Sequence, residues 1–241
     1  MKNKLFFLPN FITIMNVFCG FWAIIYIVSD NFVSAAWLII LAGIFDLLDG
    51  KVARLVGATS AYGIELDSMA DLISFGLAPA VLFFSQYSFF TGNNKIWIIA
   101  FFYLLMGITR LVRFNVVSFK KKNLQIKEDF IGLPIPGAAF AVSSYIIFVN
   151  DYYGSFNHPN IYLVVTLVVA VLMVMPVRYK SFPKISLNKK NEIINFLILI
   201  LSFVLIIFNP RRMFFLLTGL YILYNPTAYF AKILLRKSKH V

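Results

Sequence analysis

The chain lacks most of what a disulfide-stapled or zinc-dependent protein is built from. It has one cysteine, so no internal disulfide can form. It has two histidines, His158 in a loop and His240 in the tail, with no metal-ligand constellation around either. No CxxC pair, Walker loop or GxSxG elbow occurs. Charged residues are only 13% of the chain, and the acids number ten in 241 residues. What is present is apolar: 61% of residues are hydrophobic and the mean hydropathy is +0.84, where a soluble domain has roughly 45–50% apolar residues. The surplus is not one tail or leader. It recurs in runs of about 18–25 residues, the length that crosses a bilayer. The first run is full length and leads straight into more, which argues against a cleavable signal. The single cysteine, Cys19, precedes Gly20 inside such a run and reads as a small buried residue at a helix contact.

These runs predict an all-α polytopic membrane bundle of about eight spans, near 10–29, 33–56, 62–86, 95–117, 134–150, 160–177, 191–208 and 213–234. The whole chain, 1–241, reads as a single membrane domain. The fifth span starts at "GLPIPG", which predicts a late entry or a kink. With the N-terminus inside, seventeen Lys and Arg fall on inner segments and three, Lys95, Arg211 and Arg212, on outer loops. That bias puts both termini in the cytoplasm. It also accounts for the net charge of +12 through inner loops and anionic lipid, without nucleic acid. The 27 phenylalanines, spread over every span, read as lipid-facing. The polar loop 118–133 reads as lying along the inner headgroups.

Half of the ten acids lie between Asp46 and Asp71. Asp46 and Asp49 are spaced i, i+3; Asp67 and Asp71 are spaced i, i+4; on helices each pair shares a face. The turn between the second and third spans centres on Gly57 and Ala58. Asp49 and Asp67 are equally far from it, and Asp46 and Asp71 nearly so. In an antiparallel pair, equal distance from the turn means equal depth, so four carboxylates should face one another near the cytoplasmic end of the membrane. One aspartate within a membrane helix costs roughly 2.5–3.5 kcal/mol, and four together also repel. Such a group is tolerable in a wet cavity that holds cations. All-oxygen ligation suits Mg²⁺, Mn²⁺ or Ca²⁺ over Zn²⁺, and four shared carboxylates suit two ions ~4 Å apart, an arrangement recurrent in phosphoryl transfer. Gly50, Ala53 and Gly63 are small enough to let a ligand approach the backbone, and Arg54 offers a fork for phosphate oxygens. Glu65 does not share the face of Asp67 and Asp71 and reads as solvated surface.

The pattern Asp46-x2-Asp49-Gly50-x2-Ala53-Arg54-x8-Gly63-x3-Asp67-x3-Asp71 resembles the complete signature of the CDP-alcohol phosphotransferase family, matching all eight fixed positions. The resemblance implies a six-helix core over about 8–177, with 191–234 as an added helix pair. It implies transfer of a phosphatidyl group from a CDP-linked lipid to an alcohol, with CMP leaving. It further implies that Asp46, Asp49, Asp67 and Asp71 bind two divalent ions, Mg²⁺ or Mn²⁺, that Asp71 is the general base, and that Gly50, Ala53, Arg54 and Gly63 bind the CDP moiety. A homodimer is expected from the resemblance alone.

Four further stretches resemble the phosphatidylserine synthase branch: "LPNFITIMNVFCG", "LDSMADLISFGLAPA", "TRLVRFN" and "GLPIPGAAF". They imply CDP-diacylglycerol as donor and L-serine as acceptor. Serine brings a carboxylate, which suits a guanidinium fork. Arg113 and Asn115, with Arg110 second, are therefore expected on the serine or lipid-phosphate side; contact with headgroups at the inner membrane edge is the competing account. Asn10, Thr13 and Asn16 are polar positions on the first span and are expected on the cytidine side, though helix capping explains Asn10 equally well. Two other functions compete. One is the same chemistry on glycerol 3-phosphate or inositol phosphate. The other is divalent-cation transport, against which stands the absence of matching polar positions in the later spans.

Overall fold

The computed structural model describes residues 7–57, 60–124, 130–179, 201–202 and 204–237. Helix α1 is Phe7–Val28, α2 is Phe32–Val56, α3 is Ala61–Thr91, α4 is Trp97–Leu124, α5 is Ile135–Tyr153, α6 is Pro159–Val174 and α7 is Pro210–Lys237. The expected seventh span, 191–208, falls mostly outside the described residues. Helices α1, α2, α3 and the stretch Asn94–Val117 are long and apolar enough to cross a membrane, so the protein is a helical integral-membrane bundle. Apart from the helices, a two-residue antiparallel ladder pairs Phe130 with Tyr179 and Ile131 with Arg178. The loop expected over 118–133 begins late, because α4 continues to Leu124.

Helix α1 shows how a lipid-solvated helix sorts its residues. Phe7, Phe11, Ile14, Phe18, Phe21, Ile25 and Val28 recur at three- and four-residue steps and are all exposed. On the other face Pro9, Thr13, Asn16, Cys19, Gly20, Ala23 and Ile27 are buried. The bulky apolar residues face lipid, and small or polar residues let helices approach. Gly20 meets the backbone of Ser74 so closely that any side chain would collide with it. Gly43 on α2 is filled in the same way by the Phe140 ring. The phenylalanines are only partly lipid-facing: Phe75 and Phe83 are fully buried, because ring packing against Phe140 and Tyr162 fills the bundle centre.

Helix α3 is not the uniform span that its hydropathy predicts. Residues Leu72–Leu77 form a π-helical segment directly after Asp71. The Ala78 N–H donates to the Ile73 carbonyl, five residues back. The next residue, Pro79, has no N–H to offer the Phe75 carbonyl. That oxygen accepts instead from the Tyr103 hydroxyl at 3.0 Å, in a buried site. The device recurs in α7. Pro226 cannot donate to the Ile222 carbonyl, and the Tyr179 hydroxyl reaches that oxygen at 3.5 Å. In lipid a freed carbonyl must find a partner inside the protein. We expect Tyr103→Phe to lower stability by about 1–3 kcal/mol, the cost of one orphaned buried acceptor. Pro79→Ala restores the missing donor, so the same substitution should cost much less in that background. Thermal unfolding in detergent measures both.

The N-terminal end of α5 is anchored through two of the quoted stretches. Gly132 has φ of 90° and lies where a side chain would strike the Met173 carbonyl and the Arg113 guanidinium. Its N–H donates to the Val177 carbonyl, and that of Leu133 to the Leu172 carbonyl. Helix α7 packs along α5 through Phe214 on Phe140, Phe215 on Phe148 and Tyr145, and Asp151 paired with Arg211 and Arg212 at 3.1 and 2.9 Å.

Candidate active site

The turn that joins α2 to α3 levels the carboxylates. Helix α2 ends at Val56, and Gly57 takes the left-handed conformation, φ 65°, that stops a helix. Ser60 then caps α3, its Oγ accepting from the Gly63 N–H at 3.0 Å. From this turn both helices run back along α1. Carboxylate oxygens of Asp46, Asp49 and Asp67 lie within 4.8 Å of one another. The Asp71 carboxyl group meets that of Asp46 within hydrogen-bonding reach. Asp49 Oδ2 and Asp71 Oδ1 are shielded from solvent and have no hydrogen-bond partner among the described residues. Converging hard oxygens with orphaned lone pairs fit a divalent cation such as Mg²⁺, Mn²⁺ or Ca²⁺.

Around this cluster the residues expected to hold the CDP moiety divide in two. Gly50 faces open space, with nothing within 4 Å of where a side chain would begin. Arg54 is exposed in the last turn of α2, and Ala53 is half-buried above it. Gly63 sits against Asn10, whose Oδ1 lies 3.4 Å from the position of an added methyl. Asn10 is inside α1, with helix extending ahead of it to Phe7, so it does not cap that helix. The Thr13 hydroxyl donates to the Pro9 carbonyl at 3.1 Å and stands within reach of the Asp49 carboxylate. Asn16 lies deeper and is fully buried. Its carbonyl accepts from Ser74 Oγ at 3.0 Å, while its own carboxamide has no partner among the described residues.

The two arginines of α4 part company. Arg113 Nη1 donates to the Val174 carbonyl at 3.0 Å and Nη2 to the Met173 carbonyl at 3.4 Å. It thereby caps the C-terminal end of α6, where a cation is favoured. Asn115 Nδ2 donates to Ser68 Oγ at 3.0 Å, beside Asp67. Arg110 is the one that faces the carboxylates. It is 8% exposed, its guanidinium lies 5.5 Å over the Phe114 ring, and it is in electrostatic reach of Asp71 and Asp46. Ser68, Tyr103 and Phe114 were not among the expected site residues; their signal is tertiary, and no spacing in the sequence reports it. Glu65 is exposed, as expected.

The chain is similar to known proteins over most of its length. A family model described as CDP-alcohol phosphatidyltransferase matches residues 6–177. The chain is 36% identical over 224 residues to a Helicobacter pylori protein named CDP-diacylglycerol–serine O-phosphatidyltransferase, covering 92% of this chain and 91% of that one. A protein of the same name from Bacillus subtilis is 34% identical over 178 residues, 74% of this chain and 92% of the relative. An archaetidylserine synthase from Methanothermobacter thermautotrophicus is 35% identical over 174 residues, 71% and 69% of the two chains.

Proposed function

The chain belongs to the CDP-alcohol phosphatidyltransferase family, and from that membership we propose that it is the enzyme that moves a phosphatidyl group from CDP-diacylglycerol to the hydroxyl of L-serine, releasing CMP. The observation that carries this is the convergence of Asp46, Asp49 and Asp67 within 4.8 Å, with Asp71 against Asp46. The serine-specific names of relatives that cover most of the chain support the acceptor.

The chemistry follows from the residues. Two divalent ions, Mg²⁺ or Mn²⁺, held by the four aspartates would neutralise the pyrophosphate and stabilise the departing phosphate. Asp71 takes the proton of the serine hydroxyl as its oxygen forms a bond to the lipid-side phosphorus. The bond from that phosphorus to the CMP phosphate breaks, and CMP leaves. Gly50 and Gly63 give the nucleotide room against the backbone, with Asn10 and Thr13 alongside; Ala53 keeps the α2 face low, and Arg54 offers its fork to phosphate oxygens. Asn16 reads as a buried support for this wall. Arg110 is the best-placed cation for the serine carboxylate. Arg113 and Asn115 support the same side from behind, through the end of α6 and through Ser68.

The whole chain acts as one membrane domain, and the site opens to the cytoplasm, a reading supported by the seventeen-to-three distribution of basic residues. A homodimer is carried over from the family resemblance, and the mass of the purified protein–detergent particle checks it. The acceptor is tested by a panel of alcohols with CMP release as readout. Serine should drive release from CDP-diacylglycerol, with glycerol 3-phosphate and inositol phosphate at least about 100-fold weaker, since a site shaped to a small acceptor with a carboxylate and an ammonium beside its hydroxyl leaves the larger phosphate-bearing alcohols misplaced and the ammonium's partner unpaired. Release with glycerol 3-phosphate and none with serine would show the acceptor to be wrong while leaving the transfer reaction intact.

A further inference from the structure

At the end of the bundle opposite the carboxylates lies a cavity of about 320 Å³. The turns that join α1 to α2 and α5 to α6 meet the last turns of α3 around it. Phe32 lines this cavity, and Asp49 lies seventeen residues farther along α2. At ~1.5 Å per residue the two positions are roughly 25 Å apart. Two edge-to-face ring pairs wall the cavity: Phe32 with Phe89, centroids 5.7 Å apart, and Phe90 with Phe156, 5.5 Å apart. Phe32 and Phe156 are buried, while Phe89 and Phe90 are exposed on a helix long and apolar enough to cross a membrane. The mouth therefore opens at the bilayer edge.

The polar groups of the wall are unspent. Gln86 is 7% exposed, and its carboxamide has no hydrogen-bond partner among the described residues. A buried amide left unpaired costs free energy that a ligand can return. Asp30 is the one acid in the lining, which holds no Lys, Arg or His. Its backbone takes the left-handed conformation, φ 56°, with the N–H donating to the Ile27 carbonyl at 3.0 Å. Arg211 and Arg212 at this end both pair with Asp151; the Asp30 carboxylate has no ion-pair partner among the described residues. A metal ion is poorly served here, since one carboxylate among phenyl rings supplies too few hard oxygens. An organic ammonium is well served: its charge meets Asp30, its N–H groups meet the Gln86 carbonyl oxygen, and its methylenes meet the rings. We propose that this cavity binds the ammonium headgroup of a membrane phospholipid, at a site separate from the carboxylate cluster. The lipid, rather than a soluble amine, follows from the mouth, where Phe89 and Phe90 are placed to meet acyl chains. The Asn31 oxygen caps α2, accepting from the Ser34 N–H at 3.4 Å, and its amide N–H groups remain for the headgroup phosphate. The proposal is independent of which alcohol accepts the phosphatidyl group.

The test is native mass spectrometry of the full-length protein. It is released from micelles that hold equal amounts of dioleoyl phosphatidylethanolamine and dioleoyl phosphatidylglycerol, with Mg²⁺ present. The chains are the same, and only the first lipid carries an ammonium. Wild type should retain one phosphatidylethanolamine with at least about tenfold preference, and Asp30→Asn and Gln86→Leu should each lower that preference about tenfold, the loss of one hydrogen bond to a charged group. Glu65→Gln, at the carboxylate end, should keep the wild-type preference. CMP release by Asp30→Asn should stay within about twofold of wild type, because the two sites are remote from each other. Asp30 is exposed in a turn, so its variant tests the cavity even where Gln86→Leu fails to fold. Equal retention of the two lipids overturns the proposal, as does a preference left unchanged in either folded variant. A preference erased by millimolar free ethanolamine would assign the cavity to a soluble amine and overturn the lipid as its occupant.

Discussion

Asp71→Asn should reduce CMP release by about 10²–10⁴-fold while the variant still folds and still binds CDP-diacylglycerol. The substitution replaces one carboxylate oxygen by an amide nitrogen of nearly the same size, so packing at the start of the π-helical segment is kept. What is lost is an oxygen able to accept the proton of the attacking hydroxyl, and a positioned general base contributes on the order of 10²–10⁴-fold. Asp71 suits the role because its Oδ1 is shielded and has no hydrogen-bond partner among the described residues. Its other neighbour is the Asp46 carboxyl group. Three measurements on purified protein decide the matter: turnover, CDP-lipid binding and the melting temperature. Turnover within tenfold of wild type would remove Asp71 from the role of base. Glu65→Gln serves as the control, since Glu65 is exposed and off the shared face; it should be silent.

Stripping divalent ions should abolish turnover altogether. At 4.8 Å two full negative charges repel by roughly 3.5 kcal/mol at an effective dielectric of ~20, and three of the carboxylates lie within that distance of one another. Cations relieve this repulsion, and in the proposed reaction they also neutralise the pyrophosphate. CMP release should therefore fall to background after chelation and return on adding Mg²⁺ or Mn²⁺. Asp46→Ala and Asp49→Ala should each raise the metal concentration for half-maximal activity by at least about tenfold. Full activity in excess chelator would refute the metal role while leaving the family membership untouched.

The carboxylate cluster was legible in the sequence because it depends on local arithmetic: two helical spacings and a turn midway between them. The turn itself was legible for the same reason, since Gly57 and Ser60 carry its chemistry in their side chains, or in the lack of one. The π-helical segment was not. Pro79 announces a missing donor, but how the helix resolves it depends on Tyr103 from α4. Nor could spacing decide between Arg110 and Arg113. They share a face, and only the end of α6 claims one of them. The place of Tyr221 was invisible because its contacts are with Gly137 of α5 and with Tyr179, and hydropathy describes α7 only as another oily segment. Phe75 and Phe83 show a similar limit: composition cannot tell a ring that meets lipid from one that fills the centre of the bundle.

The π-helical segment also separates two angular phases within one helix. Before it, Asp67 and Asp71 face the other carboxylates; after it, Ala78, Leu82 and Phe83 face the packed interior. Successive residues of an α-helix turn by ~100°, so the wide turn acts as a one-residue slip that sets the two faces independently. Removing a single residue between 72 and 77 would leave a regular α-helix with the two faces still aligned, whereas drawing the same residues into a regular α-helix would rotate the halves against each other by about that angle. The wide turn thus works as an alignment dial: it takes up one residue more than a regular helix would carry, so that the carboxylate-bearing half and the anchoring half each keep their own pattern.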